Sequence, residues 1–365
     1  MKNDRTSLLY AELGKRILVL DGAMGTMIQS FKPEEKDFKG EKFINHPVLL
    51  KGNNDVLNIS RPDIIKNIHA QYLDAGADII ETNTFSANIV SQREYGLENY
   101  VYDIAFAGAQ IAAETAREFS GKTGIPRFVA GSIGPTGKTL SMSPDVNDPS
   151  YRDLTFEEMA ASYKTGIKGL IEGGVDMLLI ETVFDTLNAK AAAYAAQELF
   201  AELGVEVPVM FSGTVSDASG RLLAGQNTEA FLISVAHTQN LLSVGFNCAL
   251  GAEEMRKFIE ELAVKAPCFV SAHPNAGLPD ELGRYHQTPE KMAQIIRSMA
   301  DDGLLNIVGG CCGTNPEFIR AIAKIVAGVP PRKVPAITPK LRLANLDSVV
   351  GPTALNSVLP PMAKS

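Results

Sequence analysis

Short apolar runs alternate with longer amphipathic segments along most of this chain. The runs are continuous in hydrophobicity, which is typical of parallel strands that are buried on both faces. Eight runs are predicted to be strands, at residues 17–20, 78–82, 127–130, 176–180, 207–212, 242–247, 268–271 and 305–308. Eight strands that alternate with helices predict an α/β fold, a closed (β/α)8 TIM barrel, in preference to an open doubly wound sheet.

The segments between the runs carry signals for the start of helices. Thr155 and Glu158 have the spacing of a capping box, and Thr288 stands as an N-cap before a proline. Thr228 is predicted to cap the helix after strand five. The stretch between the first strand and about residue 60 is too polar and irregular to be one element.

The last part of the chain has a different composition. Residues 329–365 are rich in proline and show no strong period. We therefore predict that residues 1–328 form the barrel and that residues 329–365 form a linker or a Pro-rich C-terminal arm.

Composition and charge narrow the classes of partner. The chain has 365 residues, 45% of them hydrophobic, and a net charge of −8 without a cluster of Lys and Arg. Nucleic acids and anionic membranes are therefore not expected as partners. The first residues lack the apolar core that is typical of a signal peptide, and no apolar run reaches about 18 residues. Four cysteines do not make a disulfide framework in a chain of this length, so the cytoplasm is the predicted location.

Three cysteines follow predicted strands, at the end of a TIM barrel where active sites lie. Cys248 follows strand six, and Cys311 and Cys312 follow strand eight between glycines, before the helix signal Asn315-Pro316. Adjacent cysteines do not easily form a disulfide with each other. Because one strand separates these two strand ends, and neighbouring strands are about 4.8 Å apart, the three sulfurs are expected to meet. Three thiolates suit zinc with an open fourth position.

The other residues near this cluster leave alternatives open. His273 and Asn275 are both predicted to follow strand seven, and either is a candidate fourth ligand or a loop-capping residue. A redox-sensing role for the cysteine pair is a further alternative. Cys268 starts strand seven, at the opposite end of the barrel, and is predicted to be a core residue.

Two acidic residues also end predicted strands. Asp21 follows strand one and Glu181 follows strand four, and they are expected to face an otherwise apolar barrel mouth. Two carboxylates there suit an ammonium group, and the backbone N–H groups of the turn from Gly22 to Thr26 suit a carboxylate. These groups together predict a site for a zwitterionic amino acid. In the alternative interpretation, Asp21 caps its own turn and Glu181 pairs with a Lys or Arg.

Residues 131–139 are similar in sequence to a phosphate-binding loop. The required spacing is G-x-x-x-x-G-K-[ST], but five residues separate Gly131 from Gly137. Pro135 also removes an N–H group from the loop. Nucleotide binding is therefore not predicted.

Several motifs together resemble the homocysteine S-methyltransferase family. These are DGAMGTMIQ at 21–29, ETNTF at 81–85, ET at 181–182, NC at 247–248 and GGCCGT at 309–314. The segment LKGNND at 50–55 looks like the cobalamin-dependent methionine synthase branch, whose N-terminal module binds homocysteine. The resemblance covers about residues 10–330.

The resemblance implies a zinc-bearing barrel that binds L-homocysteine and methylates its sulfur to give methionine. Cys248, Cys311 and Cys312 would hold Zn²⁺, and the homocysteine sulfur would take the fourth position. Asn275 matches a residue that holds the metal when substrate is absent. The residues implied to bind the amino-acid end of the substrate are Asp21, Gly25, Thr26, Thr82 and Glu181.

The chain also departs from this branch of the family. The corrinoid-binding signature Asp-x-His-x-x-Gly is absent. Methylcobalamin is therefore expected on a separate module or partner, together with a folate-binding module or subunit. The chain would be an N-terminal piece of a larger enzyme or a stand-alone subunit, and residues 342–346 look like the start of a junction to a folate module. The alternatives are S-methylmethionine or betaine as methyl donor, and a non-catalytic zinc-binding or redox-sensing module.

Overall fold

The computed structural model describes residues 4–216, 219–337 and 341–351. Eight parallel strands form one sheet in the order β1-β8-β7-β6-β5-β4-β3-β2. They are β1 Leu18–Val19, β2 Ile79–Glu81, β3 Phe128–Ile133, β4 Met177–Val183, β5 Val209–Gly213, β6 Leu241–Gly251, β7 Phe269–Asn275 and β8 Ile307–Val308. A parallel bridge between Leu20 and Ile79 joins the two end strands. The predicted TIM barrel is therefore confirmed.

Helices connect the strands on the outside of the barrel. They are α1 Asp4–Leu13, α2 Met24–Phe31, α3 Glu35–Lys39, α4 Leu57–Ser60, α5 Pro62–Asp74, α6 Ile89–Arg93, α7 Val101–Thr123, α8 Phe156–Gly173, α9 Thr186–Leu203, α10 Thr228–Val235, α11 Ala252–Lys265, α12 Pro289–Asp301 and α13 Pro316–Val326. None of the helices in the described ranges is long and apolar enough to cross a membrane. The irregular stretch before residue 60 contains three short helices, α2 to α4.

The predicted helix starts are mostly confirmed. Thr155 and Glu158 form the capping box of α8, and Thr288 accepts a hydrogen bond from Lys291 N at the start of α12. The prediction for Thr228 is wrong, because Asn227 is the N-cap of α10 and accepts from Ala230 N. Thr228 is then the first helical residue.

Strand seven is longer than predicted. It runs on to Asn275, paired with β6, so His273 and Asn275 lie within the strand rather than in the loop after it. Strand six also continues past Cys248 to Gly251, with a shift in register between Asn247 and Gly251. β7 therefore carries its candidate site residues within the strand, whereas Cys248 lies at the register shift in β6.

The barrel interior is apolar at the amino-terminal ends of the strands. Leu9 and Leu13 of α1 pack against inward-facing residues of the strands, and none of these side chains is more than 1% exposed. The other members of this cluster are Leu18, Leu20, Ile79, Phe128, Ala130, Met177, Leu179, Met210, Leu242 and Ile307. Helix α1 therefore closes the amino-terminal end of the barrel.

The barrel interior is polar at the carboxyl-terminal ends of the strands. Side chains alternate between the two faces of a strand, so Glu81 follows Ile79 inward and Glu181 follows Leu179 inward. Asn247 and His273 lie opposite each other in the paired strands β6 and β7. The barrel is thus closed at one end by hydrocarbon and lined at the other by groups that bind polar ligands.

The segment after α13 continues along the barrel. The buried guanidinium group of Arg332 donates hydrogen bonds to the carbonyl oxygens of Ala263, Ala266 and Cys268. Strands β9 Leu343–Ala344 and β10 Val349–Val350 form an antiparallel pair. The backbone N–H of Asn227 donates to the Leu346 carbonyl next to this pair. The division at residue 328 stays a prediction, and residues 338–340 and 352–365 of the predicted arm lie outside the described residues.

Candidate active site

A cavity of about 660 Å³ opens at the carboxyl end of the strands. It is lined by residues that follow or end strands β1, β2, β4, β6, β7 and β8, and also by the segment 52–55. No Lys or Arg of the described ranges is among the lining residues. Apolar atoms make up the larger part of the cavity surface, and amide, hydroxyl and carboxyl groups lie among them.

The structure brings the three cysteines together at this cavity. The sulfur atoms of Cys248, Cys311 and Cys312 all lie within 4.8 Å of one another, and Cys248 Sγ is 3.7 Å from Cys312 Sγ. Tetrahedral zinc with Zn–S bonds of about 2.3 Å places its sulfur ligands about 3.8 Å apart. The spacing of the thiols therefore fits a metal ion of this kind.

Close backbone approach fixes the loop that carries Cys311 and Cys312. A Cβ atom on Gly309 would come within 2.9 Å of the Leu20 and Asp21 carbonyl oxygens, so only glycine fits there. The N–H of Gly310 donates to Asp21 O, at 3.0 Å. The N–H of Cys311 donates to Pro274 O, at 2.8 Å. The loop is thus attached to the strands on both sides of β8.

Cys248 is placed by an unusual backbone conformation. Its φ is 60° and that of Ala249 is 58°, in the left-handed region that residues with a Cβ rarely adopt. The register shift that follows Asn247 in β6 accompanies this turn. Strained backbone of this type is frequent at functional sites.

One of the three sulfurs accepts a hydrogen bond from a neutral amide, since Asn247 Nδ2 donates to Cys311 Sγ at 3.8 Å. The sulfurs of Cys248 and Cys312 form a second hydrogen bond with each other. Hydrogen bonds from the thiols of Cys311 and Cys312 lower the pKa of Cys248.

Asn247 also joins the thiols to the opposite side of the cavity. Its Oδ1 accepts from the N–H of Thr182 at 2.9 Å, and its Nδ2 donates to the Thr182 hydroxyl at 2.8 Å. Thr182 itself has a φ of 53°, so these two bonds hold a strained position beside Glu181. Asn247 was missed as a functional residue, although it stands directly before Cys248.

His273 and Asn275, the two candidates for a fourth ligand, each present an unpaired atom. His273 Nε2 and Asn275 Oδ1 are buried and have no hydrogen-bond partner among the described residues. Burial lowers the pKa of His273 to about 4, so its imidazole is neutral. Both atoms are therefore available to a ligand, and the choice between His273 and Asn275 as fourth metal ligand stays open.

Asp21 and Glu181 both lie in the buried upper part of the barrel. Asp21 Oδ2 accepts from the N–H of Glu81 at 3.1 Å, while its Oδ1 is buried without a partner in the described part of the chain. Glu181 accepts from the Ser132 hydroxyl. The ion pairs of the described residues include neither acid, so the alternative of a Lys or Arg partner for Glu181 is not observed.

Two further acids, Glu81 and Asp55, face the same cavity, and both were missed as site residues. Burial raises the pKa of Glu181 and of Asp55 to about 7. Burial and the charges of the neighbouring acids raise the pKa of Asp21 and Glu81 well above the ordinary range. Glu81 could have been found from its inward position two residues after Ile79, but nothing in the sequence connects Asp55 to the barrel mouth.

The remaining predicted substrate residues divide into two kinds. Gly25 and Thr26 lie in the first turn of α2 and line the cavity, where the N–H groups of a helix start lack intrahelical partners and attract anions. Thr82 also lines the cavity, but its hydroxyl accepts from Ser132 N and shares a hydrogen bond with Thr84. The Thr82 hydroxyl is therefore engaged by the protein itself.

Cys268 lies apart from this cluster. It is 9% exposed and belongs to the apolar core between barrel and helices. Burial raises the pKa of its thiol to about 11. Its assignment as a core residue is confirmed.

The chain folds as a (β/α)8 barrel. Three thiols and several buried acids lie together at its carboxyl end, as in a barrel enzyme with a candidate metal–thiolate centre. Comparison of the sequence with known families gives the assignment. The family of homocysteine S-methyltransferases matches residues 18–326. The chain belongs to the homocysteine S-methyltransferase family and is a methyltransferase.

Solved structures agree with the fold. The metallated form of the homocysteine methyltransferase MmuM from Escherichia coli superposes with a TM-score of 0.65 at 22% identity, and covers 88% of this chain and 99% of its own. The oxidized form of the same enzyme gives a TM-score of 0.67 at 21% identity with the same coverage. At this level of identity the similarity establishes the barrel fold.

The buried acid Asp55 predicts how stability depends on pH. The pKa of Asp55 is higher in the folded chain than its ordinary value of 3.8, so its ionisation disfavours the folded state. The cost grows as pH rises from about 4 to about 7 and is constant above that range. We expect Asp55→Asn to be more stable than the unchanged protein by about 1–3 kcal/mol at pH 8 and by much less at pH 4.

Urea unfolding at a series of pH values measures this difference. Asp74→Asn is the matched control, because the Asp74 side chain is 75% exposed, and its effect should not vary with pH over the same range. A difference between Asp55→Asn and the unchanged protein that stays constant from pH 4 to pH 8 would contradict the prediction.

Proposed function

We propose that this methyltransferase transfers a methyl group to the sulfur of L-homocysteine at a Zn²⁺ ion held by Cys248, Cys311 and Cys312, giving methionine. The observation that carries the proposal is the convergence of the three sulfurs within 4.8 Å of one another, at a cavity that is also lined by the acids Asp55, Glu81 and Glu181. The family of the chain agrees with homocysteine as the methyl acceptor.

The donor set fits zinc. Three thiolates leave one of the four tetrahedral positions open, as in catalytic zinc sites. The buried, unpaired Oδ1 of Asn275 is one group available for that position when substrate is absent. When bound, zinc would supply Lewis acidity that lowers the pKa of the substrate thiol and keeps the sulfur as a nucleophilic thiolate.

The acids of the cavity suit the amino group of the substrate. Asp21 offers an unpaired oxygen, and Glu181 lies close enough to Glu81 to raise the pKa of Glu81 through its charge. An ammonium group between them would favour their ionised forms, because opposite charges lower the pKa of a carboxyl group. Binding of homocysteine at neutral pH is therefore accompanied by release of protons from these acids.

The first turn of α2 suits the carboxylate of the substrate. Its N–H groups at Gly25 and Thr26 border the cavity, and the Thr26 hydroxyl accepts from Gly313 N at 3.2 Å. That bond attaches the helix to the loop of Cys311 and Cys312. The amino-acid end and the sulfur of the substrate are thus held by elements that are bonded to each other.

The methyl donor would approach from the open end of the cavity. We infer that methylcobalamin on a separate module or partner, served by a folate-binding module or subunit, is the donor. The basis of this inference is the segment 50–55, which resembles the cobalamin-dependent branch of the family. Part of this segment lines the cavity. The second candidate is a small cationic donor such as S-methylmethionine or betaine. It is favoured by a cavity that is lined by three acids, Asp55, Glu81 and Glu181, and, within the described ranges, by no Lys or Arg.

An assay of methyl transfer separates the two kinds of donor. We expect methyl transfer to homocysteine from methylcobalamin, which acts in place of the separate module, and at most slow transfer from S-methylmethionine or betaine. Heat-treated protein is the control for the uncatalysed reaction. Rapid transfer from a small cationic donor together with none from methylcobalamin would assign the second donor class.

Zinc K-edge spectroscopy tests the metal site and the acceptor together. We expect three sulfur ligands and one oxygen or nitrogen ligand without substrate, and four sulfur ligands after homocysteine is added, because the substrate thiol replaces the fourth ligand. Cys312→Ala should lose zinc, whereas Cys268→Ala should keep it, since Cys268 lies in the core. An unchanged zinc spectrum on addition of homocysteine would favour a non-catalytic zinc-binding or redox-sensing module.

The role of Glu181 is tested with a substrate analogue that lacks the amino group. We expect Glu181→Gln to weaken homocysteine binding about 10- to 100-fold, the effect of losing a buried charged hydrogen bond of about 1.5–3 kcal/mol. Binding of 4-mercaptobutanoate should change little, because it has no ammonium group. Glu206→Gln, at an exposed position, is the control. Equal weakening of both ligands by Glu181→Gln would show that the carboxyl group acts on the site as a whole and not on the amino group.

A further inference from the structure

Strand β4 leaves its regular pairing where it reaches the cavity. Its register with β5 shifts between Ile180 and Val183, and Thr182, which lies within this shift, has a φ of 53°. A positive φ is unusual for a β-branched residue such as threonine. It persists only where the surrounding structure holds it in place. The backbone next to Glu181 therefore depends on the contacts that Thr182 makes.

The side chain of Asn247 supplies these contacts from β6. The N–H of Thr182 donates to Asn247 Oδ1 at 2.9 Å, and Asn247 Nδ2 donates to the Thr182 hydroxyl at 2.8 Å. A backbone N–H group can only donate a hydrogen bond, so the first of these bonds fixes which end of the amide faces Thr182. The same Nδ2 then lies 3.8 Å from Cys311 Sγ and donates to it.

The hydrogen-bonded pair of Thr182 and Asn247 joins two strands that are not neighbours in the sheet. β5 lies between β4 and β6, and none of its residues in the described ranges lines the cavity. Thr182 and Asn247 both line the cavity, although Asn247 is only 1% exposed. The pair therefore forms the wall of the cavity at the position of β5.

The carboxyl group of Glu181 is held from its other side by β3. The Ser132 hydroxyl donates a hydrogen bond to this carboxyl group. Glu181 is thus connected to β3 through its side chain, and its backbone is connected to Cys311 through Thr182 and Asn247. The separation between the carboxyl group and the thiols is therefore set by a chain of hydrogen-bonded residues.

We propose that Asn247 and Thr182 are positioning residues that fix the distance between Glu181 and the three sulfurs, and that this distance selects homocysteine over amino-acid thiols with a shorter or longer side chain. The inference deepens the proposed function and rests on it, because it takes Glu181 as the group that binds the ammonium and the cysteine cluster as the place of the substrate thiol. Asn247 and Thr182 act through Glu181 and Cys311.

A fixed separation discriminates between ligands by length. A ligand with an ammonium group at one end and a thiol at the other uses both halves of the site only if its length matches their separation. Groups that are already in place bind the matching ligand without the cost of ordering them, whereas mobile groups adapt to several lengths with lower affinity for each. One methylene group changes binding by about 10- to 200-fold in enzymes that discriminate in this way.

The unchanged protein allows a first test. Cysteine is one methylene shorter than homocysteine, and 2-amino-5-mercaptopentanoate is one methylene longer. We expect calorimetry with the zinc-loaded protein to show that homocysteine binds at least about tenfold more tightly than either homologue. The zinc content before and after each titration shows that the ligand has not removed the metal.

Thr182→Val is the sharper test, because valine has the shape of threonine without the hydroxyl group. It removes the bond from Asn247 Nδ2 and leaves the bond from the backbone N–H. We expect the affinity for homocysteine to fall about three- to tenfold, the effect of losing one hydrogen bond. The affinities for the two homologues should change much less, so that the preference for homocysteine decreases. The zinc content should be unchanged, since all three thiols are retained.

Two further variants serve as controls. Thr182→Ser keeps a hydroxyl group at this position and should retain the preference for homocysteine. Thr123→Val removes a threonine hydroxyl at the exposed end of α7, where it donates to Phe119 O at 2.8 Å. Its affinities for all three ligands should equal those of the unchanged protein.

The outcomes distinguish this positioning role from the proposed function. If the unchanged protein binds the three ligands equally, or if Thr182→Val weakens all three by the same factor, then the pair only stabilises the fold and the inference is overturned. If the unchanged protein binds none of the three ligands, the proposed function fails, and the role of Asn247 and Thr182 fails with it.

Discussion

The site depends on the backbone hydrogen bonds that attach the loop 309–314 to the strands on either side of it. Gly310 N bonds to the carbonyl of Asp21 beyond β1, and Cys311 N bonds to that of Pro274 in β7. Because the side chain of Asp21 is one of the buried acids proposed to bind the ammonium group, this hydrogen bond links the candidate metal centre to the candidate ammonium site. The glycines at 309 and 310 allow this approach, since a Cβ atom at either would meet neighbouring atoms at less than 3.0 Å. The distance between the two halves of the site is thereby set by the closure of the barrel.

The distribution of polarity in the barrel explains why the acids are unusual. Below them, α1 and the inward side chains form an apolar cluster that excludes water. The acids therefore lie at a boundary between hydrocarbon and an open cavity, and burial is the first cause of the raised pKa of Asp21, Glu81, Glu181 and Asp55. Buried acids that lack a cationic partner destabilise the fold when they ionise. Under the proposed function, the ammonium group of the substrate would offset this cost.

Much of the fold was predictable because its signals are local and repeated. The continuous apolar runs gave all eight strands, and the order of strands in a closed barrel placed Cys248 near Cys311 and Cys312 without any contact information. Strand ends were less predictable: β7 continues through His273-Pro274-Asn275, because pairing with β6 outweighs the presence of a proline. The cap at Asn227 was missed because a contact that is distant in sequence holds this residue. Its N–H donates to the carbonyl oxygen of Leu346.

The parts of the candidate site that were not predicted are those that act through a second residue. Asn247 is not a ligand in the proposed metal site, and only the structure connects its amide to Thr182 and Cys311.

The hydrogen bond from Asn247 matters because of charge. Under the proposed function, three thiolates and a divalent cation would carry a net charge of −1, and a fourth thiolate from the substrate would make it −2. The cavity has no lining Lys or Arg in the described ranges to offset this charge, whereas Asn247 donates a neutral hydrogen bond to Cys311. A neutral donor lowers the charge on a sulfur ligand less than an ion pair would. The sulfurs would therefore stay electron-rich, which favours methyl transfer to a bound thiolate.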